Sequence, residues 1–234
     1  MKIAVNQQGN TLFIIFITIA LFGVLSAAIW NSSLQSNYDL DDDARTISLA
    51  KYAQKLGHMR DAILRLKTVN ECSDTEISFA YDSDNDGDVD ASDDYWNAAS
   101  STDCYVFHPD GGQMSFPSLP NNVNDGSEIV ITAANQIESA GTTAHELYII
   151  IPKLTLESCN ELNARFGAST NADGSPIVEG SNFTTTNKFT GSFGSSGAVN
   201  NANGEAEICM QATKVNTVDV TGDEYYFFYT LIIN

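Results

Sequence analysis

Positive charge is scarce in this chain. It carries 11 Lys and Arg against 30 Asp and Glu, a formal net charge of −19. A surface of that sign repels phosphate backbones, so nucleic acid is not an expected partner. Cysteines at metal or redox spacing are missing as well. Cys72, Cys104, Cys159 and Cys209 include no C-x-x-C pair, which leaves no basis for a zinc or thioredoxin-like site. His58, His108 and His145 are isolated, and His145-Glu146 lacks the second histidine of H-E-x-x-H. Neither G-x-S-x-G nor a phosphate loop occurs. No enzyme is expected, and no catalytic residue is assigned.

Charge is also absent from residues 12–30, LFIIFITIALFGVLSAAIW. At 1.5 Å per residue this run reaches about 28 Å as a helix, close to the roughly 30 Å hydrocarbon core of a bilayer. One Lys precedes it, and Asp39, Asp41, Asp42 and Asp43 follow, with no Lys before Lys51. The positive-inside rule keeps the start cytoplasmic. The expectation is a single transmembrane pass in the inner membrane through residues 12–30, with the remainder in the periplasm or at the cell surface. A secretory signal cut near Ser26-Ala27-Ala28 and a plain anchor are the alternatives.

Four widely spread cysteines in an exported chain read as structural disulfides. Three pairings are possible, and sequence order makes Cys72–Cys104 and Cys159–Cys209 the simplest. Before Cys72 lies a helical pattern, and after it a strand-rich region. Leu49, Tyr52, Leu56, Met59, Ile63 and Leu66 recur at steps of three and four, one apolar face of a helix over 44–68. Alternating or β-branched runs at 76–81, 104–107, 128–132, 146–151 and 225–233 predict strands. A second helix is expected over 156–166, capped by Thr155 and ended by Gly167. Residues 168–204, rich in Gly, Ser, Asn and Thr, read as a long loop with an edge strand near 188–193. The expected fold class is α+β: a long N-terminal helix, part membrane and part amphipathic, packed on a mainly antiparallel sheet. The expected organisation is a leader over 1–9, an apolar helix over 10–30, its amphipathic continuation over 31–69 and a head over 70–234.

The sharpest chemical pattern is residues 82–93, DSDNDGDVDASD. Asp82, Asp84 and Asp86 hold positions 1, 3 and 5, and Gly87 holds the sharp-turn position 6. Asp88 offers a backbone carbonyl at position 7. Val89 is an apolar plug, Asp90 holds position 9 and Asp93 position 12. Hard oxygen donors at this spacing suit Ca²⁺, which takes six to eight of them, better than Mg²⁺. The segment resembles EF-hand and dockerin-type loops. That likeness implies one structural Ca²⁺ held by Asp82, Asp84, Asp86, Asp88, Asp90 and Asp93.

A second resemblance lies at the start. A short polar leader ending in Gly9, followed by Asn10-Thr11-Leu12 and an apolar helix, is similar to the type IV prepilin signature. The resemblance implies peptidase cleavage between Gly9 and Asn10. Asn10 and Ile14 stand where pilins carry Phe or Met and then Glu, a departure that fits a minor pseudopilin within that family. The implied function is a pilin-like or pseudopilin-like structural subunit of an envelope filament or secretion apparatus. Its partners would be the membrane, other pilin-like subunits and assembly machinery. A membrane-anchored, calcium-dependent adhesin or carbohydrate- or protein-binding module is the alternative.

Overall fold

The computed structural model describes residues 8–119, 122–138, 145–194, 197–200, 202 and 204–233. Helix α1 spans Gln8–Val69. The chain divides into two compact units, Met1–Arg45 and Thr46–Asn234. In the first unit the described side chains of residues 13–24 are apolar or uncharged, with Phe13, Phe16 and Phe22 facing solvent. Side chains at 27–41 lie outside the described set. Among the described residues no helix is long and apolar enough to cross a membrane. The expected transmembrane helix, the inner-membrane placement and the periplasmic head are corrected on that finding. The expected pilin plan, whose first half is such a helix, falls with them.

The second unit is built on a five-stranded sheet ordered β1-β3-β7-β6-β4. Its strands are β1 (Val130–Thr132), β3 (Leu147–Leu154), β4 (Ile177–Phe183), β6 (Glu207–Val215) and β7 (Val218–Ile232). A two-stranded sheet joins β2 (Asn135–Ile137) to β5 (Gly197–Val199). Pairs β1–β3, β3–β7 and β6–β7 are antiparallel. Pairs β4–β6 and β2–β5 are parallel. The fold is therefore mixed α/β, which corrects the expected α+β class with a mainly antiparallel sheet. A parallel pair needs a crossover connection, and here residues 184–206 supply it. Among the described residues of that crossover only the three of β5 are in strand form, and its sequence shows no periodicity. The strand expected near 188–193 is absent, and the run at 76–81 makes only an isolated parallel bridge between Ser78 and Tyr105.

Both faces of the central strands are covered. Along β7, Phe227, Tyr229 and Leu231 enter one apolar cluster while Tyr226 and Phe228 enter the other. Along β3, Leu147, Ile149 and Ile151 take the first face and Tyr148 and Ile150 the second. A strand buried on both sides has no polar face, so its sequence reads as a continuous apolar run. The first cluster also receives Leu49, Tyr52, Leu56, Met59, Ile63 and Leu66 of α1, the stripe expected from its spacing. It receives Cys159 and Leu162 of α2 (Leu156–Phe166) as well. The second cluster is closed by Ile137, Phe183, Val199 and Ala202 around the small sheet.

Helix α2 follows its local signals. Thr155 accepts from the Ser158 N–H, and Gly167 adopts φ 71°, the left-handed conformation that glycine takes without a Cβ clash. The helix is fastened twice to β6. A disulfide joins Cys159 to Cys209, and a second joins Cys72, just past the end of α1, to Cys104. Beside the first, buried Asn163 donates to Cys209 O at 2.9 Å and accepts from Cys209 N at 2.7 Å. Strand β4 begins its pairing with β6 only at Met210. The Asn163 amide thus serves the backbone groups that β4 does not reach.

Glu146, fully buried at the start of β3, accepts from Ile137 N through Oε2 at 3.0 Å. Its Oε1 makes no hydrogen bond among the described residues. Burial pushes this carboxyl above its usual range, against a smaller opposing effect of the Ile137 N–H.

Two stability outcomes follow from these contacts. Asn163→Ala orphans a buried N–H and a buried C=O and should cost about 1–3 kcal/mol for each group left without a partner. Urea unfolding with the disulfides intact measures it. Glu146 favours the fold below its unfolded value of about 4.3, and that contribution is lost as pH rises through the higher folded value. Glu146→Gln should therefore melt above wild type at pH 7, and the gap should close below about pH 4, as read by calorimetry across pH.

Candidate metal centre

Residues 82–94 form a turn built by their own carboxylates. Asp82 accepts from the backbone N–H of Asp86 through Oδ1 at 3.1 Å and from that of Gly87 through Oδ2 at 3.2 Å. Asp84 Oδ1 accepts from Asp86 N at 3.3 Å, and Asp86 Oδ1 accepts from Asp88 N at 3.0 Å. Such side-chain to backbone bonds are how Asp makes turns in place of regular structure. Gly87 has φ 99°, a conformation nearly closed to other residues, and Asn85 has φ 61°. Together these bends bring carboxylate oxygens of Asp82, Asp84 and Asp86 within 4.8 Å of one another.

Asp88, Asp90 and Asp93 stand outside that group among the described residues. Asp90 Oδ1 accepts from Ser92 N at 2.8 Å and from Ser92 Oγ at 2.7 Å. Ser92 Oγ also lies 3.1 Å from Asp84 Oδ2. Asp93 closes the base of the loop. Its Oδ1 accepts from Ser83 N at 2.6 Å and Ser83 Oγ at 2.9 Å, and its Oδ2 from Asp90 N at 2.9 Å. Burial opposes the charged form of Asp93, but the hydrogen bonds from Ser83, Asp90 and Asp84 outweigh it and hold the carboxyl below its usual range. Asp90 is likewise held down by the Ser92 N–H and hydroxyl. The supporting roles of Ser83 and Ser92 sit at positions the loop pattern leaves unspecified, so spacing alone could not reveal them.

The donor set fits a hard divalent cation. Three carboxylates converge, Asp82 accepting turn bonds through both oxygens and Asp84 and Asp86 through one each, and all offer oxygen. With no cation, three negative charges at this separation repel one another. Asp93, the expected ligand at position 12, acts in this structure as a clasp between the two ends of the loop.

Just past the clasp, Asp94 forms an ion pair with Lys188, whose Nζ lies 5.5 Å from the centre of the Tyr95 ring. Tyr95 is buried, and its hydroxyl lies 3.4 Å from Ile129 O and 3.3 Å from Ile131 N. Tyr95 thus bolts the loop to β1. Directly before the loop, Tyr81 stacks on Phe116 with ring centres 4.2 Å apart. This stack forms one wall of a pocket of about 270 Å³ that also includes Leu119, Asn124, Glu128 and Ile129. Sequence reasoning did not find this pocket, because its walls come from three separate segments without regular structure.

Asp93→Asn should loosen the loop in the presence of chelator, because an amide nitrogen cannot accept from Asp90 N. A carboxyl with a depressed folded value stabilises above its unfolded value near 3.9 and loses that contribution as pH falls through the folded value. The variant should therefore melt below wild type at pH 7, with the difference shrinking in acid, and amide exchange at residues 83–92 should speed up.

Gly9 and Asn10 lie in the first residues of α1, their side chains outside the described set, as are residues 1–7. Comparison with known proteins returns no match, whether to a family model, a curated protein or a solved structure. The prepilin-like start thus has no family behind it. The pilin, pseudopilin and prepilin-cleavage expectations are set aside, together with the secretion and filament roles they implied.

Proposed function

We propose that Thr46–Asn234 is a calcium-stabilised binding module that acts by recognition, with no catalytic role. The observation that carries this reading is the convergence of carboxylate oxygens of Asp82, Asp84 and Asp86 within 4.8 Å of one another, at positions 1, 3 and 5 of the loop pattern. Asp88 would add its backbone carbonyl and Asp90 a contact through water, as the dockerin-type likeness implies. Asp93 would keep the two ends of the loop together. Supplying Ca²⁺ would cancel the repulsion among the carboxylates and fix the exposed outer half of the loop.

The reading also draws on where the loop sits. Tyr81 leads into it and lines the pocket, while Asp94 and Tyr95 leave it and reach Lys188 and β1. An ion at 82–86 therefore steadies the segments that frame the pocket.

The melting temperature should rise with Ca²⁺ and fall with chelator. A ligand at 100 times its dissociation constant adds about 2.7 kcal/mol. Asp82→Ala and Asp86→Ala should abolish the rise, and Mg²⁺ should replace Ca²⁺ poorly because it demands tight octahedral geometry. Calorimetry of the full chain decides it. No binding heat and no melting shift at several millimolar Ca²⁺ would leave 82–93 as an acidic turn only.

A further inference from the structure

The pocket beside the loop has a chemistry of its own. It is lined by the Tyr81–Phe116 stack, Leu119 and Ile129, and the one charged side chain of its lining is the exposed Glu128. Glu128 is exposed and has no ion-pair partner among the described residues. Every other nearby carboxylate is engaged. Asp94 pairs with Lys188, Asp125 pairs with Lys153 at 3.6 Å, and Asp93 closes the loop. An aromatic wall with an unpaired carboxylate at its edge attracts a cation twice, through the ring faces and through the charge. The described residues make the same arrangement twice internally, where Lys188 lies over Tyr95 and pairs with Asp94, and where Arg60 lies over Tyr229 and pairs with Glu207.

We propose that this pocket receives the side chain of a lysine or arginine of a partner protein, with Glu128 taking the ammonium or guanidinium and the stem lying against the Tyr81–Phe116 stack. The net charge of −19 selects for a cationic partner. The volume of about 270 Å³ accommodates one long side chain, not a folded segment. A free amino acid would bring its own carboxylate into a pocket whose one charged lining residue is Glu128, and be repelled. A residue within a peptide chain brings none.

The proposal builds on the reading of this unit as a binding module but does not need calcium, so the two are tested apart. The full chain, isotopically labelled, is titrated with N-acetyl-lysine amide and N-acetyl-arginine amide, once with Ca²⁺ and once with chelator. The neutral isostere N-acetyl-norleucine amide, free lysine and 1,4-diaminobutane serve as comparison probes. Saturable shifts confined to Tyr81, Phe116 and Glu128 with the blocked basic residues support the proposal, with affinity of roughly millimolar order for one residue. Glu128→Gln, at an exposed position, should weaken binding by about tenfold or more. Phe116→Leu should weaken it while Phe116→Tyr restores it, and the disulfides and fold remain as checked by the melting curve. Equal binding of norleucine amide would overturn the proposal in favour of a plain apolar cleft. Tighter binding of 1,4-diaminobutane or free lysine would overturn it in favour of a small-amine site. Absence of saturation with both basic probes would also overturn it. Saturation without any calcium effect on melting would sink only the calcium reading, and the converse would sink only this one.

Discussion

The second unit depends on a sheet that must be covered on both sides. Strands β7 and β3 carry large apolar side chains on each face: Phe227 and Tyr229 against Tyr226 and Phe228, Ile149 and Ile151 against Tyr148 and Ile150. Leaving either face wet would expose several such side chains, each worth about 1.5–3 kcal/mol when buried. Covering one face requires the Leu49–Leu66 stripe of α1 and the inner side of α2. Covering the other requires the β4–β5 region and the small β2–β5 sheet. The connections between these layers are long and poor in regular structure, and they set the remaining problem of the fold.

That problem is hydrogen bonding. A buried segment outside a helix or strand still carries N–H and C=O groups that need partners. Here asparagine side chains provide many of them. Asn163 serves both backbone groups of Cys209. Asn135 donates to Thr184 O at 2.9 Å and accepts from Thr184 N at 2.7 Å. Asn97 donates to Thr75 O at 2.8 Å and accepts from Ala99 N at 3.0 Å. Asn124 donates to Ser127 O at 2.7 Å and to Pro152 O at 3.1 Å, where the bulge around Pro152 interrupts β3. Each amide matches the donor and acceptor pair of a peptide group, which is why a buried Asn can stand in for a missing strand neighbour. The two disulfides act on the same joints. Cys159–Cys209 lies beside Asn163, and Cys72–Cys104 ties the end of α1 to the turn after the acidic loop. Loops of their lengths, 32 and 50 residues apart, should restrict the unfolded chain by roughly 3–4 kcal/mol each.

These two features explain which parts of the molecule could be read from its sequence. Helix α2 was legible to the residue, because Thr155 and Gly167 are local signals that tertiary packing did not override. The buried stripe of α1 was legible because one-sided burial leaves a helical period. Strand β7 was legible through composition alone, since two-sided burial erases alternation. The parallel partnership of β4 with β6 was not legible. It depends on a crossover whose sequence resembles a loop, and on buried Glu179 and Phe183 in a strand interrupted by Gly180. Residues 76–81 alternate as a strand does, yet only Ser78 pairs with Tyr105; their other groups turn to side chains such as Asn97, which donates to Ile77 O at 3.3 Å. The transmembrane reading took uninterrupted apolarity as sufficient, whereas among the described residues no helix is long and apolar enough to cross a membrane. The spacing of Asp82, Asp84 and Asp86 matches their convergence in the turn, whereas no pattern announces the bonds that Asp93 accepts from Ser83 and Asp90.

The distinction between ligand and clasp shapes what an ion could do at this site. Asp93 is buried and saturated by three hydrogen bonds from the loop itself, so the base of the loop is closed without metal. Asp84 and Asp86 are exposed, and their geometry rests on weaker, more distant backbone contacts. An ion would therefore order the outer half and leave the inner half as it is. Tyr81 and Asp94 leave the loop at its closed end, so the pocket wall and the Lys188 pair would feel the ion through reduced motion and not through displacement. Coupling of that kind tightens binding by lowering the entropy lost when a ligand settles, and it leaves the shape of the pocket the same with and without the ion.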